Sequence, residues 1–242
     1  MKVLMLTPYL PYPLVSGGQI RTYNLLKHLS KQHDITLFSL IKDEDERQHL
    51  SELKKYCKKI VLFKRTKQAF VLRNILLAGF SPYPFVVTRN LPLGMRSAVQ
   101  AELHSSHYDL IHAETFYMMP NIPKTKTPII LAEQTIEYLG YQDYTKKANL
   151  LLRPLLSIDV AKIKYWERYF WGVADKLITM SSEDKAFIER ELGKKTNTSV
   201  VANGVDLDFF SAVKKHLPSD PTVLSVGTFK WLPNIEAVDE IV

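Results

Sequence analysis

The chain opens two strand–glycine turn–helix units, one at its first residues and another near residue 222. Lys2–Thr7 (KVLMLT) is an apolar run of strand formers, followed by a proline-containing loop, the pair Gly17-Gly18 and an apolar-periodic stretch over 19–29. Residues 222–226 (TVLSV) again read as a strand, running into Gly227 and a WLPN turn, with a helix only beginning where the sequence ends at Val242. Two such starts constrain the chain toward two stacked nucleotide-type α/β domains, the second expected to be cut short.

Further apolar runs of strand length recur at 35–40, 60–63, 110–113, 129–132, 177–180 and 199–202. Most are continuous rather than alternating, as expected for parallel strands covered on both faces. Helical patterns lie between many of them. Residues 19–30 place Ile20, Leu25, Leu26 and Leu29 on neighbouring positions, and residues 43–57 open with four acids, suited to the positive end of a helix. Ser181 and Ser182 before Glu183 and Asp184 read as an N-cap and first turn, with Gly193 as the stop. A long helix over 150–171 carries Leu155, Ile158, Ile163, Trp166, Phe170 and Trp171 as an aromatic-rich core face. This rhythm predicts a doubly wound, mostly parallel Rossmann-like α/β sheet over 1–204, a linker over 205–221 and the start of a second domain over 222–242.

At 242 residues the chain is long enough to bury roughly 70% of its unfolded surface, so neither a disulfide nor a metal is needed to hold it together. Cys57 is the only cysteine, which excludes an internal disulfide and points to a reducing compartment. The apolar run at 3–6 is too short for a secretory signal and meets Pro8, Pro11 and Pro13 at once. No apolar window approaches the ~18 residues of a membrane span. The expected location is the cytoplasm, with contact at the inner face of the cell membrane. The net charge of +7 is uneven. Residues 53–101 hold ten basic and no acidic side chains, whereas the other 22 basic residues are outnumbered by 25 acids.

Three groups could carry chemistry. Gly17-Gly18 sits between the first strand and its helix, where backbone amides freed of side chains accept a phosphate or sugar oxygen. The pattern is SGGQIR, not G-x-G-x-x-G, and no G-K-[ST] occurs, which disfavours a hydride-transfer enzyme and a P-loop NTPase. His112 and Glu114 (DLIHAE) end the fourth strand on one face, and Glu133, Gln134 and Glu137 (AEQTIEY) follow the next, together suggesting a polar cleft. Asn203-Gly204-Val205-Asp206 is a turn signal just before the linker.

SGGQIR, DLIHAE, AEQTIEY, NGVDLDFF and SVGTFKWLPN, in this order, resemble the family 4 retaining glycosyltransferases of the two-domain GT-B fold. The resemblance implies an N-terminal domain that holds the acceptor and a C-terminal domain that binds a nucleotide-diphosphate sugar. It also implies transfer with retention and without a metal. By position, His112 and Glu114 would be the catalytic pair facing the transferred sugar. Gly17 and Gly18 would approach phosphate or acceptor, Glu133 would line the acceptor side, and Asn203, Gly227 and Lys230 would complete the binding residues. Glu114 stands where many members have a second histidine, and Thr228 where many have arginine. The family's paired glutamates would lie beyond Val242.

The expected partners are a nucleotide sugar and a glycan or lipid-linked acceptor, with no nucleic acid, since the basic residues belong to no recognisable binding module. Phe70, Leu72, Ile75, Leu76, Leu77 and Phe80 interleave with Arg73 inside 53–101, so that segment is expected to dock on anionic lipid. The competing expectation is a non-catalytic sugar-binding module, or a subunit completed by a separate donor domain.

Overall fold

The structure, a computed structural model, describes residues 1–212 together with 220, 222–224, 227, 237–239 and 241. β1 (Lys2–Thr7) leads through a loop into α1 (Gly17–Leu29) and β2 (Asp34–Ile41). A 3-10 turn over Glu44–His49 and the short α2 (Leu50–Leu53) connect to β3 (Lys59–Lys64). Then come α3 (Leu72–Phe80), α4 (Phe85–Arg89), α5 (Met95–Ser105), β4 (Leu110–Glu114) and a second 3-10 turn over Phe116–Asn121. β5 (Ile129–Glu133), α6 (Glu137–Lys147), α7 (Arg153–Val173), β6 (Lys176–Thr179), α8 (Ser182–Leu192) and β7 (Thr198–Val200) complete a unit running from Met1 to Asn203.

All seven strands pair in parallel in the order β3-β2-β1-β4-β5-β6-β7. This is a Rossmann-like sheet, and its strand order reverses between β1 and β4. In open α/β sheets a ligand crevice forms at the carboxyl edge of such a switch point. The continuous apolar runs explain the arrangement. Leu4, Leu6, Phe38, Leu40, Ile111 and Ala113 face one core with Met95, Ile163 and Trp171. Met5, Ile35, Leu37 and Ile41 face the other with Leu26 of α1, Leu53 and Cys57. Each such buried side chain contributes about 1.5–3 kcal/mol of transfer free energy. The α8 caps are as expected: the Ser181 hydroxyl accepts from the Asp184 N–H at 3.0 Å, and Gly193 ends the helix at φ 65°.

Two helix expectations need correction. Residues 43–57 do not form one helix. Glu46 turns back so that its Oε1 accepts from the N–H groups of Lys42 (2.7 Å) and Asp43 (3.0 Å), which tightens the segment into a 3-10 turn before one turn of α2. Helix α7 is present, but Leu155 and Ile158 are exposed, and the side chains it buries are Ile163, Glu167, Phe170 and Trp171. A 21-residue helix spans about 31 Å and a five-residue strand about 17 Å, so the first turns of α7 run past the sheet and face no core.

Gly204–Val242 forms a second unit, in which α9 (Leu207–Ser211) is a five-residue helix within the segment expected as linker. Gly227 is an exposed bend. Of the strand expected at 222–226, residues 222–224 are described without strand structure, and 225 and 226 lie outside the described residues, as does Lys230. Among the described residues no helix is long and apolar enough to cross a membrane.

Candidate functional site

At the carboxyl edge between β1 and β4, side chains from four elements form one hydrogen-bonded network. Thr7 ends β1 and donates to the Ser39 hydroxyl at 2.9 Å, which in turn donates to the Tyr9 carbonyl at 2.8 Å and fixes the loop as it leaves the sheet. Tyr9 is thereby brought beside α1, where its phenol lies 3.3 Å from the Thr22 hydroxyl. Gln134, just past β5, donates from Nε2 to the Tyr9 Oη at 2.8 Å and to Glu114 Oε2 at 2.9 Å. His112 Nε2 meets Glu114 Oε1 at 2.9 Å. His112 and Glu114 therefore do share a face and touch, as alternation along a strand requires.

Glu114 has no exposed surface, yet it is ionised. Burial pushes its carboxyl upward, but the His112 hydrogen bond and charge, the Gln134 amide and the charge of Arg21 outweigh burial and hold it below the usual carboxylate range. Arg21 belongs to the SGGQIR segment, and its Nη1 donates to the Ala202 carbonyl (3.3 Å) and to Asn203 Oδ1 (3.1 Å). That tether brings Asn203 to the same rim. Tyr9 is pushed up to about 12 by burial and by the Glu114 charge, so its hydroxyl stays protonated as a donor.

The two glycines separate in role. A Cβ on Gly17 would meet nothing within 4 Å, so the start of α1 is open there, with Ser16 as its N-cap. A Cβ on Gly18 would stand 2.5 Å from the Tyr9 hydroxyl and 2.8 Å from Gln134 Oε1. Gly18 admits the close approach of helix and network, a packing reason for glycine at this position.

Glu133 does not join this cleft. Ala132 pairs with Glu114, so Glu133 points to the opposite face of the sheet. There its Oε1 accepts from Trp171 Nε1 at 3.0 Å, while Oε2 is buried without a hydrogen-bond partner. Burial, reinforced by the charge of Glu167, raises its carboxyl well above the ordinary value and keeps it protonated. Glu167 is itself an internal cap, accepting from the N–H groups of Glu137 (2.7 Å) and Tyr138 (3.1 Å) at the start of α6. The single polar cleft expected from two adjacent strand ends is thus two separate sites on opposite faces.

Five lysines of the basic segment have ion-pair partners. Lys55, Lys58, Lys59, Lys64 and Lys67 pair with Glu52, Asp34, Glu102, Glu44 and Asp43, acids that all lie outside residues 53–101. An open groove of about 420 Å³ runs between α6 and α7, lined by Tyr138, Thr145, Lys146, Arg153 and Lys164 among others, and includes none of the strand-edge residues. Among the described residues, no group of three or more His, Cys, Asp or Glu is placed to hold a metal ion.

Residues 15–209 match the family described as Glycosyltransferase Family 4. Among solved structures, the chain is similar to sucrose-phosphate synthase from Thermosynechococcus elongatus at 12% identity, over 87% of this chain and 93% of that one (TM-score 0.47). It is similar to HepE of Anabaena in complex with UDP and glucose at 16% identity, over 87% and 46% of the two chains (TM-score 0.42). It is also similar to UGT71G1 of Medicago truncatula complexed with UDP-glucose at 13% identity, over 86% and 52% (TM-score 0.48). The chain spans about half the length of the last two. No curated protein matches it significantly.

Proposed function

This chain belongs to Glycosyltransferase Family 4, and from that premise we propose that it forms the acceptor-side half of an enzyme moving a sugar from a nucleotide-diphosphate sugar to a glycan or lipid-linked acceptor with retention. The observation that carries the reading is Glu114, enclosed yet ionised between His112 and Gln134 at the switch point of the sheet. A retaining transfer builds positive charge on the sugar ring as the diphosphate leaves. A fixed anionic network beside the ring favours that charge, and prearranged dipoles do this without a strong base.

With both oxygens engaged and no surface of its own, Glu114 acts through its neighbours. It is a positioning residue, and His112 is the group assigned to meet the sugar. Gly17 leaves the first amides of α1 open to a phosphate or hydroxyl oxygen. Asn203, tethered by Arg21, borders the same rim. Gly227 and Lys230 are assigned to the donor side, and no metal takes part in this reading.

A panel of nucleotide-diphosphate sugars offered with glycan and lipid-linked acceptors tests it on the chain completed by a nucleotide-sugar-binding second domain, since the 242-residue chain alone is expected to be inactive. The expected result is release of nucleoside diphosphate matched by a glycosylated acceptor of unchanged anomeric configuration, read by NMR. Acceptor binding without transfer from any donor contradicts it and leaves a non-catalytic sugar-binding module.

Contact with an anionic membrane at the cytoplasmic side rests in this reading on α3 rather than on summed charge. Leu72 and Phe80 are 71% and 89% exposed, and Arg73 stands among them. Arg73→Gln is expected to weaken binding to anionic vesicles by about fivefold, the effect of roughly 1 kcal/mol per basic residue. Unchanged flotation of a Leu76→Asp variant contradicts the contact.

A further inference from the structure

Farther along the same carboxyl edge, three cations converge with no carboxylate between them. Lys42 follows β2 and Arg65 follows β3; because Ile41 pairs with Lys64, the two leave the sheet side by side. The Arg65 N–H still donates to the Ile41 carbonyl at 2.9 Å, which fixes where the side chain begins. Its Nη1 donates to Asn90 Oδ1 at 2.6 Å. Asn90 is held in turn by its own donation to the Val86 carbonyl (2.7 Å) and by the Asn121 amide donating to its backbone oxygen (3.0 Å). Arg65 is thereby brought next to Arg89, the last residue of α4.

The Nε atoms of Arg65 and Arg89 are both buried without a hydrogen-bond partner. Among the described residues no carboxylate lies within ion-pair distance of Lys42, Arg65 or Arg89, although five lysines from 53–101 each have one. The nearest acid in charge terms, Glu46, has its Oε1 committed to two backbone N–H groups. Burial and then the charge of Arg89 lower Arg65 to about 10, and burial followed by both arginines lowers Lys42. Two half-buried arginines and an exposed lysine, acting on one another and lacking a counter-charge, are unfavourable unless something anionic completes them. Guanidinium groups suit a phosphate because their planar fork can meet two of its oxygens at once.

The cluster lies within electrostatic reach of residues beside the switch-point network. Tyr117 bears on Arg65, and Tyr9 bears on Tyr117. Tyr141 of α6 is coupled in the same way to Arg89. The chain reaches Tyr117 from Glu114 through Thr115 at φ 69°, a backbone rarely adopted by a residue with a side chain and one that clusters at ligand sites.

We propose that Lys42, Arg65 and Arg89 form an anion subsite that takes a phosphate group of the acceptor, so that the acceptor of this protein is a phosphorylated molecule whose attacking hydroxyl reaches toward His112. The assignment of that phosphate to the acceptor rests on the proposed transferase function; the binding of phosphate does not.

The test uses the full chain with glycerol 3-phosphate as probe and glycerol as its neutral counterpart. Thermal unfolding of the wild type is expected to rise with glycerol 3-phosphate and not with glycerol. Titration should show binding weakened at least tenfold in Arg65→Gln and Arg89→Gln, severalfold in Lys42→Gln, and unchanged in Lys146→Gln, an exposed cation of α6. Without the probe, Arg89→Gln should unfold at the same temperature as the wild type or higher, because one of three repelling charges is gone. A merely structural arginine would lower it. No stabilisation by the probe, or equal stabilisation of the wild type and all three cation variants, overturns the subsite. Phosphate binding at the three cations without sugar transfer defeats the transferase reading and leaves the subsite standing. Transfer to neutral acceptors with KM unaffected by Arg65→Gln does the reverse.

Discussion

Glu114 and Glu133 end neighbouring strands, are both buried, and have opposite fates. Glu114 stays charged because His112, Gln134 and Arg21 together outweigh the cost of burial. Glu133 has one indole donor, an unpartnered oxygen and a second carboxylate nearby, and becomes a neutral acid. The difference lies in the face each side chain enters. One face receives the polar loop after β1 and the start of α1; the other receives the aromatic interior of α7. A carboxylate at a strand end is therefore a functional candidate only when its face supplies donors.

The largest expected effect on stability comes from removing the side-chain donor to Glu133. Trp171→Phe deletes the indole hydrogen bond to Glu133 and opens space in the core, and should destabilise the chain by about 2–4 kcal/mol in chemical denaturation. A loss below 0.5 kcal/mol, on that scale, means the buried acid needs no partner.

The two faces should also titrate in opposite senses. Burial raises Glu137 to about 7, and raises Glu167 to about 8 with the charge of Glu137 adding to it. Their stabilising contribution is complete below their unfolded value near 4.5 and is lost as pH rises through 7 to 8. Glu114, whose value is lowered, contributes above 4.5 and loses its contribution as pH falls through its folded value. Urea midpoints should therefore peak near pH 5 and fall toward pH 8, by on the order of 2 kcal/mol. Glu167→Gln should flatten the alkaline side alone; a slope unchanged in that variant contradicts the assignment.

Gly18→Ala should cost about 1–2 kcal/mol by forcing the Tyr9 hydroxyl and Gln134 apart. Combining it with Tyr9→Phe, which deletes the atom closest to the new Cβ, should recover part of that loss in a double-mutant cycle. Strict additivity would mean the network is loose at this point. Tyr9→Phe alone is the smallest change, about 1 kcal/mol for the bonds to Gln134 and Thr22.

The sheet was legible in the sequence because parallel strands buried on both faces appear as unbroken apolar runs, and all seven lie where those runs fall. The His112–Glu114 pair was legible from alternation within one strand. The face of Glu133 was not, since it depends on the register of β5 against β4, a long-range property. Tyr9 was missed because a loop alone brings it to Gln134, and Gln134 was visible only as part of a polar strand end. The ion pairs of the basic segment were hidden for a similar reason: Asp34, Asp43 and Glu102 reach its lysines from sequence positions outside any local window.

The most direct measurement compares the turnover of Glu114→Gln and Glu133→Gln with that of the wild type, each joined to a nucleotide-sugar-binding second domain, donor and acceptor saturating and folding checked by near-ultraviolet circular dichroism. The expected result is a loss of about 100-fold in kcat for Glu114→Gln, the scale of one lost electrostatic contributor, and near-normal turnover for Glu133→Gln. Full activity in Glu114→Gln, with collapse in a well-folded Glu133→Gln, would place the chemistry on the other face of the sheet.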